Sequence, residues 1–391
     1  MLPDYVRQAM RILEKAGYEV WMVGGCVRDR LRGEVPHDFD LTTNATPQQM
    51  LEVFGDMHLL LQGLSHGTVT PIFNHHPVEI TTYRTESGYH DHRRPDAVAF
   101  TREIEEDLAR RDFTVNAMAW HPKRGLCDPF GGEADLKAGI IRAVGDPKLR
   151  FEEDALRILR GIRFAVRLGF DVESATAQAM NAAAPTLRYI AKERVTEEMR
   201  GIFGLADCAR VWNEFMPIWE LVLPHVHPIE AQILAAPLDF VLRLTLMNHF
   251  SRADVTQNLS LTKIEKKAIT RLTAALDHPI PVDRIGVRQL AAAYGVEDAD
   301  ALLRLWSAMG RDTTGLGEML CECVEAGECL SVGQLAVSGA DLDLPSSQIG
   351  IALRELLDAV VCEKVANQRE ALLFYVKDAI LGEKRGKKNE P

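Results

Sequence analysis

Apolar residues recur at helical spacing over residues 3–16, and Gly17 closes that stretch. A β-rich run from Glu19 to Val23 leads into Gly24-Gly25, and a short helical segment carrying Val27 and Leu31 stops at Gly33. Asp38 to Thr42 alternates as a strand. Asn44-Ala45-Thr46-Pro47 reads as a helix N-cap with proline in the first turn. Further strands are predicted over 67–74, 77–83 and 96–100. From about residue 147 the pattern changes to nearly continuous helix, with breaks at Gly169, Pro185, Pro224, Pro237, Pro279-Ile280-Pro281 and Pro345. No fixed-period repeat interrupts it. The pattern predicts an α+β head over 1–146, a mixed sheet with helices, followed by an all-α remainder.

Composition changes this picture little. A chain of 391 residues predicts two to four domains, at roughly 100–200 residues each. Hydrophobic content of 47% and charged content of 26% match ordinary globular protein. No apolar run approaches the roughly 18 residues that span a bilayer, and Met1-Leu2-Pro3-Asp4-Tyr5 lacks the pattern of a signal peptide. The expectation is a cytoplasmic protein with no membrane contact and no obligatory protein partner. Seven scattered cysteines read as reduced thiols; Cys321, Cys323 and Cys329 lack a second Cys/His pair at zinc-ligand spacing. A net charge of −11 argues against indiscriminate coating of nucleic acid, yet leaves room for local basic patches such as Lys384-Arg385-Gly386-Lys387-Lys388.

The chemistry concentrates in Asp38-Phe39-Asp40. At i and i+2 on a strand, both carboxylates point to one face, with Phe39 turned into the core behind them. Two such aspartates repel unless a cation lies between them, and oxygen ligands of this kind suit Mg²⁺. Upstream, Gly24-Gly25 lets the backbone approach a polyphosphate closely. The helix that follows offers free N–H groups, and Arg28 stands one turn in, where it can grip phosphate.

Taken together, Gly24-Gly25-x-Val27-Arg28-Asp29 and His37-Asp38-Phe39-Asp40-Leu41-Thr42-Thr43-Asn44-Ala45 resemble the catalytic signature of the polymerase-β nucleotidyltransferase superfamily. More narrowly, they resemble the class II tRNA nucleotidyltransferase and poly(A) polymerase family. Arg110-Arg111-Asp112-Phe113-Thr114-Val115-Asn116 is similar to that family's second motif. Asp112 and Asn116 fall at i and i+4 of a plausible helix, and the resemblance implies that Arg111 binds triphosphate or ribose. Asp128-Pro129-Phe130-Gly131-Gly132 resembles the connector between head and neck, whose glycines would act as a hinge; a simple turn fits equally well.

Glu153-Asp154-Ala155-Leu156-Arg157 carries the most information. On a helix, Asp154 and Arg157 are neighbours at i and i+3, which by itself predicts an intrahelical ion pair. The resemblance implies that they read the base of the incoming nucleotide in place of a template. Arg160 and Arg163 match the same nucleotide-binding helix, with Arg163 turned further away and suited to orienting the site. Glu193-Arg194-Val195-Thr196-Glu197-Glu198 resembles a fifth motif that braces the preceding helix. Glu79 is a candidate third carboxylate beside the metals. The loop Thr85–Pro95 occupies the place of the family's mobile loop, and its His90, Asp91 and His92 are poorly preorganised for metal.

The resemblance covers essentially the whole chain and implies an elongated all-α neck (147–205), body (206–330) and tail (331–391). The implied activity is template-independent addition of C, C and A to the 3′ end of tRNA from CTP and ATP, with Mg²⁺. Addition of A alone, of CC alone, or of poly(A) remains open within the family. A non-catalytic tRNA-binding protein is the reading from another class.

Overall fold

The structure is a computed structural model that describes residues 2–87, 97–205, 208–227, 234 and 236–380. The chain divides into two compact units, one of residues 1–228 with 255–260, the other of 229–254 with 261–391.

The first unit is built on a mixed sheet. Helix α1 (Asp4–Lys15) buries Val6, Ala9, Met10 and Leu13, the stripe its sequence spacing predicts. It stops at Gly17, whose φ of +88° is left-handed. Strand β1 (Val20–Val23), buried along its length, runs into α2 (Gly25–Leu31). Strand β2 spans Asp40–Thr43. Helix α3 (Pro47–Val53) opens with the expected cap: Thr46 and Gln49 form a reciprocal capping box, and Pro47 fills the first turn.

Strands β3 (Leu59–Leu60), β4 (Thr68–Phe73), β5 (His76–Pro77) and β6 (Ile80–Thr82) follow, then the hairpin β7 (Arg84–Ser87) and β8 (Ala97–Phe100). After α4 (Ile104–Ala109) come β9 (Ala119–His121) and β10 (Gly125–Cys127). The sheet order is β10-β9-β1-β2-β6-β4-β3, with β5 on β4; β2 and β6 run parallel and the other pairs antiparallel. Val23 lies opposite both Asp40 and Ala119, so these three share one face. Over that face pack Trp21, Tyr83, Ile104 and Leu108.

Helices then take over, with α5 (Gly132–Ala138), α6 (Pro147–Glu153), α7 (Leu156–Leu168), α8 (Ser174–Ala183), α9 (Lys192–Phe203) and α10 (Met216–Val222). Two short strands, Ile140–Ile141 and Asp171–Val172, pair in parallel among them. Trp212 and Trp219 stack 5.3 Å apart, and Phe203 packs on both. The sheet and these helices belong to one compact unit although composition changes sharply at residue 147.

The second unit is helical throughout its described residues, from Phe240–Ser251 to Arg369–Tyr375. Leu356, Val361 and Leu372 lie fully buried in its C-terminal core. No helix among the described residues is long and apolar enough to cross a membrane.

Candidate active site

Gly24 positions the first piece of the site. Its φ of +70° and ψ of −134° suit glycine alone. A Cβ placed there would also lie 3.2 Å from Arg111 Nη1, so the bare backbone lets that guanidinium settle over the start of α2. Beneath it Cys26 is buried, and burial pushes its thiol up to about 11, the proton lying near the Val23 and Asp40 carbonyls. It is packing, not a nucleophile.

Arg28 is buried one turn further. It donates to Asp29 Oδ1 at 2.9 and 2.7 Å and to Asn116 Oδ1 at 2.7 Å. Asn116 in turn donates to Asp112 Oδ1, 3.2 Å away. Asp112 Oδ2 takes a two-pronged bond from Arg160, at 2.9 and 2.7 Å. Burial alone would raise the Asp112 carboxyl, but the charge and hydrogen bonds of Arg160, with Arg157 and Asn116, hold it below the usual carboxylate range. The second motif does not form the expected α-helix. Helix α4 ends at Ala109, and Thr114–Asn116 is a single 3₁₀ turn. Just before that turn the side chain of Asp112 accepts from Phe113 N, a local bond that competes with helix.

The carboxylate pair also departs from expectation. Strand β2 starts at Asp40, so Asp38 precedes it. Phe39 is half-buried and packs edge-on against Tyr5, 6.3 Å away, instead of entering the core. Parallel pairing of β2 with β6 brings Glu79 alongside, since Leu41 N donates to the Glu79 carbonyl at 2.9 Å. The Asp40 carboxyl keeps an open face to solvent yet is pushed up. The surrounding protein raises it most, Glu79 and Asp38 add to that, and Arg111 opposes them. Asp38 and Glu79 thus stand within electrostatic reach of Asp40.

The segment expected to read the base differs most. Glu153 ends α6, and Asp154 has extended backbone angles, φ −138° and ψ 105°. Its Oδ1 accepts from Leu156 N at 3.0 Å, so it caps α7 from outside the helix. No Asp154–Arg157 ion pair forms: Asp154 Oδ2 faces Arg194 at 3.3 Å, and Arg157 pairs with Glu153 at 2.6 Å. The i, i+3 spacing misleads here because the helix breaks at Asp154, between α6 and α7. Arg163 donates to Glu198 of α9 at 2.6 Å, and its guanidinium lies over the Phe164 ring.

These pieces meet in a cleft of about 490 Å³. Gly25, Arg28, Asp40, Arg111, Asp112, Asn116, Asp154, Arg157, Arg160 and Arg163 all line it, while Asp38 and Glu79 flank Asp40 outside the lining. Sequence reasoning did not single out Arg110, Phe164, Arg167 and Arg194, which line it too. The spacing 157, 160, 164, 167 along α7 marks one helix face and could have exposed two of them. Eight arginines against three aspartates line this cleft in a chain of net charge −11. That excess selects a polyanion. Arg111 Nε and Arg194 Nη1 are buried without a partner, the condition a ligand oxygen would relieve.

Elsewhere, Gly131-Gly132 forms a tight start to α5. Asp128 accepts from Gly132 N and Glu133 N, and a Cβ on Gly132 would fall 2.2 Å from the Thr114 carbonyl. All seven cysteines are free. His90, Asp91 and His92 lie outside the described residues.

Comparison with known proteins gives the same direction. A model of the poly A polymerase head domain matches residues 20–142, and one of a probable RNA and SrmB-binding site of polymerase A matches 169–216. A CCA-adding enzyme of Lactiplantibacillus plantarum is 35% identical over 397 residues, covering 93% of each chain. One of Streptococcus mutans is 33% identical over 407 residues, 97% of this chain and 98% of its own. The crystal structure of the Bacillus stearothermophilus CCA-adding enzyme in complex with CTP superposes with a TM-score of 0.84. It is 29% identical and covers 98% of this chain and all of that one. With likeness running end to end at this level, and the cleft built from the motifs themselves, the chain belongs to the CCA-adding enzyme family.

Proposed function

We propose that this protein adds C, C and A in turn to the 3′ end of tRNA, taking CTP and ATP and releasing pyrophosphate at each step. The observation that carries this reading is the cleft itself: Asp40 and an arginine-rich lining share one space with Asp154 and Arg157. In each step the terminal hydroxyl oxygen of the tRNA bonds to the α-phosphorus, the bond to the pyrophosphate oxygen breaks, and the hydroxyl proton leaves. Arg111, whose Nε is unpaired, and the bare backbone at Gly24-Gly25 hold the triphosphate. Arg28, Asn116, Asp112 and Arg160 form the bonded frame that fixes this wall.

Nucleotidyltransferases of this family generally use a divalent metal, and Mg²⁺ is the ion we assign. Asp38 and Asp40 would hold it, with Glu79 beside them. The donor chemistry fits, because Asp40 is raised partly by the negative charge of Glu79 and Asp38, a crowding that a hard cation relieves. Among the described residues no three His, Cys, Asp or Glu side chains gather closely enough to hold an ion alone, so phosphate and water complete its shell. When bound, the metal supplies charge neutralisation at the phosphates and lowers the pKa of the attacking hydroxyl.

Cytosine and adenine each offer an exocyclic amine beside an unprotonated ring nitrogen. Asp154 accepts from the amine and Arg157 donates to the ring nitrogen, whereas uracil and guanine mismatch both contacts. The cytoplasm, where tRNA and both nucleotides are present, is the location this activity requires. The neck, body and tail would hold tRNA by phosphate contacts, with salt-sensitive affinity.

The test is incorporation with Mg²⁺ on three tRNA transcripts ending at the discriminator, at C and at CC. Growth of the first by three nucleotides only when CTP and ATP are both present is the expected result. Growth only of the CC-ended transcript, by one A, or long A tails, would replace CCA addition with A addition or poly(A) synthesis. No incorporation would point to a non-catalytic tRNA-binding protein.

A further inference from the structure

Arg157 is held from three sides. Its Nη1 donates to the Arg150 carbonyl at 3.2 Å and to Glu153 Oε2 at 2.6 Å, and its Nη2 donates to the Arg110 carbonyl at 3.0 Å. A guanidinium has five N–H donors. Three are taken, which leaves Nε–H and one Nη2–H for a base.

Arg150, on α6 one turn before Glu153, is placed as a counterpart. Its Nη2 donates to the other carboxylate oxygen, Glu153 Oε1, at 2.6 Å, and its Nη1 to the Ala109 carbonyl at 3.0 Å. Glu153 is therefore shared, one oxygen to each arginine. The two arginines also take the consecutive carbonyls of Ala109 and Arg110 at the end of α4, groups that have no partner within the helix. Arg150 is about as well covered as Glu153, with 17% and 20% side-chain exposure, so solvent does not freely replace either bond.

We propose that Arg150 is a positioning residue for base choice, acting through Glu153 on Arg157. The reason is geometric. A carboxylate facing one arginine prefers to grip it with both oxygens. With Arg150 holding Oε1, Glu153 can give Arg157 only Oε2, and the guanidinium keeps the orientation in which two donors stay free. With Arg150 gone, Glu153 turns to take Arg157 with both oxygens, rotates it, and removes a donor from the base. The motif residues do not predict this, because Arg150 lies on α6, before the break at Asp154. The inference rests on the base-reading role of Asp154 and Arg157 proposed above.

The experiment measures kcat/KM for CTP and UTP on a transcript ending at the discriminator, and for ATP and GTP on one ending at CC. It uses Arg150→Met and Arg150→Lys, with Asp154→Ala and Arg157→Met beside them. Arg150→Met is expected to raise the UTP-to-CTP ratio about tenfold, the scale of a single hydrogen bond to the base. Arg150→Lys keeps the charge, but its single ammonium cannot fork between carbonyl and carboxylate as the guanidinium does, so the ratio also rises. An unchanged ratio in both Arg150 variants, or an equal loss for all four nucleotides, overturns the proposal while the base-reading assignment stands. If Asp154→Ala and Arg157→Met also keep the parent ratio, the base-reading assignment falls and the proposal with it.

Discussion

Replacing Arg160 with Met separates a folding role from a catalytic one. Arg160 gives Asp112 two hydrogen bonds, and Asp112 also accepts from Phe113 N and Asn116. Removing the cation leaves a buried carboxylate, 9% exposed, without its counter-charge. Breaking a buried pair from one side costs about 3–5 kcal/mol. The Arg160 side chain is 36% exposed, so water screens part of that, and about 2–3 kcal/mol is the discounted figure. At roughly 2–4 °C per kcal/mol, the unfolding midpoint of the first unit should fall by about 5–10 °C at neutral pH.

The pH dependence decides whether charge is the cause. Asp112 sits below the ordinary carboxylate value in the native protein. Its contribution is therefore fully present above the unfolded value of about 3.9, and is lost as pH falls through the lower native value. In Arg160→Met the native carboxyl rises instead, so the variant regains stability as acid protonates it. Thermal unfolding followed by circular dichroism from pH 7.5 down to 4 should show the gap between parent and variant narrowing. The double variant Asp112→Asn/Arg160→Met should recover much of the loss at pH 7. A gap that stays constant with pH, with no recovery in the double variant, would refute the electrostatic reasoning and leave weakened packing on Phe164 as the cause.

Asp40→Asn should abolish nucleotide transfer while tRNA binding by filter retention persists; substantial residual transfer would remove Asp40 from the metal site. In the parent, Asp40 is raised and must be ionised to hold a cation, so Mg²⁺ affinity should weaken as pH falls through its elevated value, measurable by Mg²⁺ titration of activity at several pH values. Gly132→Ala puts a Cβ 2.2 Å from the Thr114 carbonyl, and the forced shift should cost about 1–3 kcal/mol in chemical denaturation. A neutral result would mean that the α5 start moves freely.

Local chemistry made much of this protein legible in its sequence. The helix stripe of α1, the Thr46-Pro47 cap and the strand run over 67–74 each depend on neighbours within a few residues, and each formed where its pattern placed it, whereas the run over 38–42 started two residues late and that over 77–83 split in two. Gly24 was legible for the same reason, since its positive φ needs glycine, and Asp38, two residues from Asp40, stays within its electrostatic reach although it lies off the strand. What failed was inference across a break. Asp154 and Arg157 read as helical neighbours, but Asp154 leaves the helix to cap α7, and each found a different partner, Arg194 and Glu153. Asp112 likewise lies outside the 3₁₀ turn that carries Asn116, though the two still bond.

Sequence therefore determined which residue types the chain brings to the cleft. Tertiary structure alone decided which of them touch. Asp112 is 48 positions from Arg160, and Arg28 is 88 from Asn116. No periodicity links such distances. Their pairing follows from burial, since a charge withdrawn from water must find a counter-charge or donor among whatever the packed sheet and helices bring within reach.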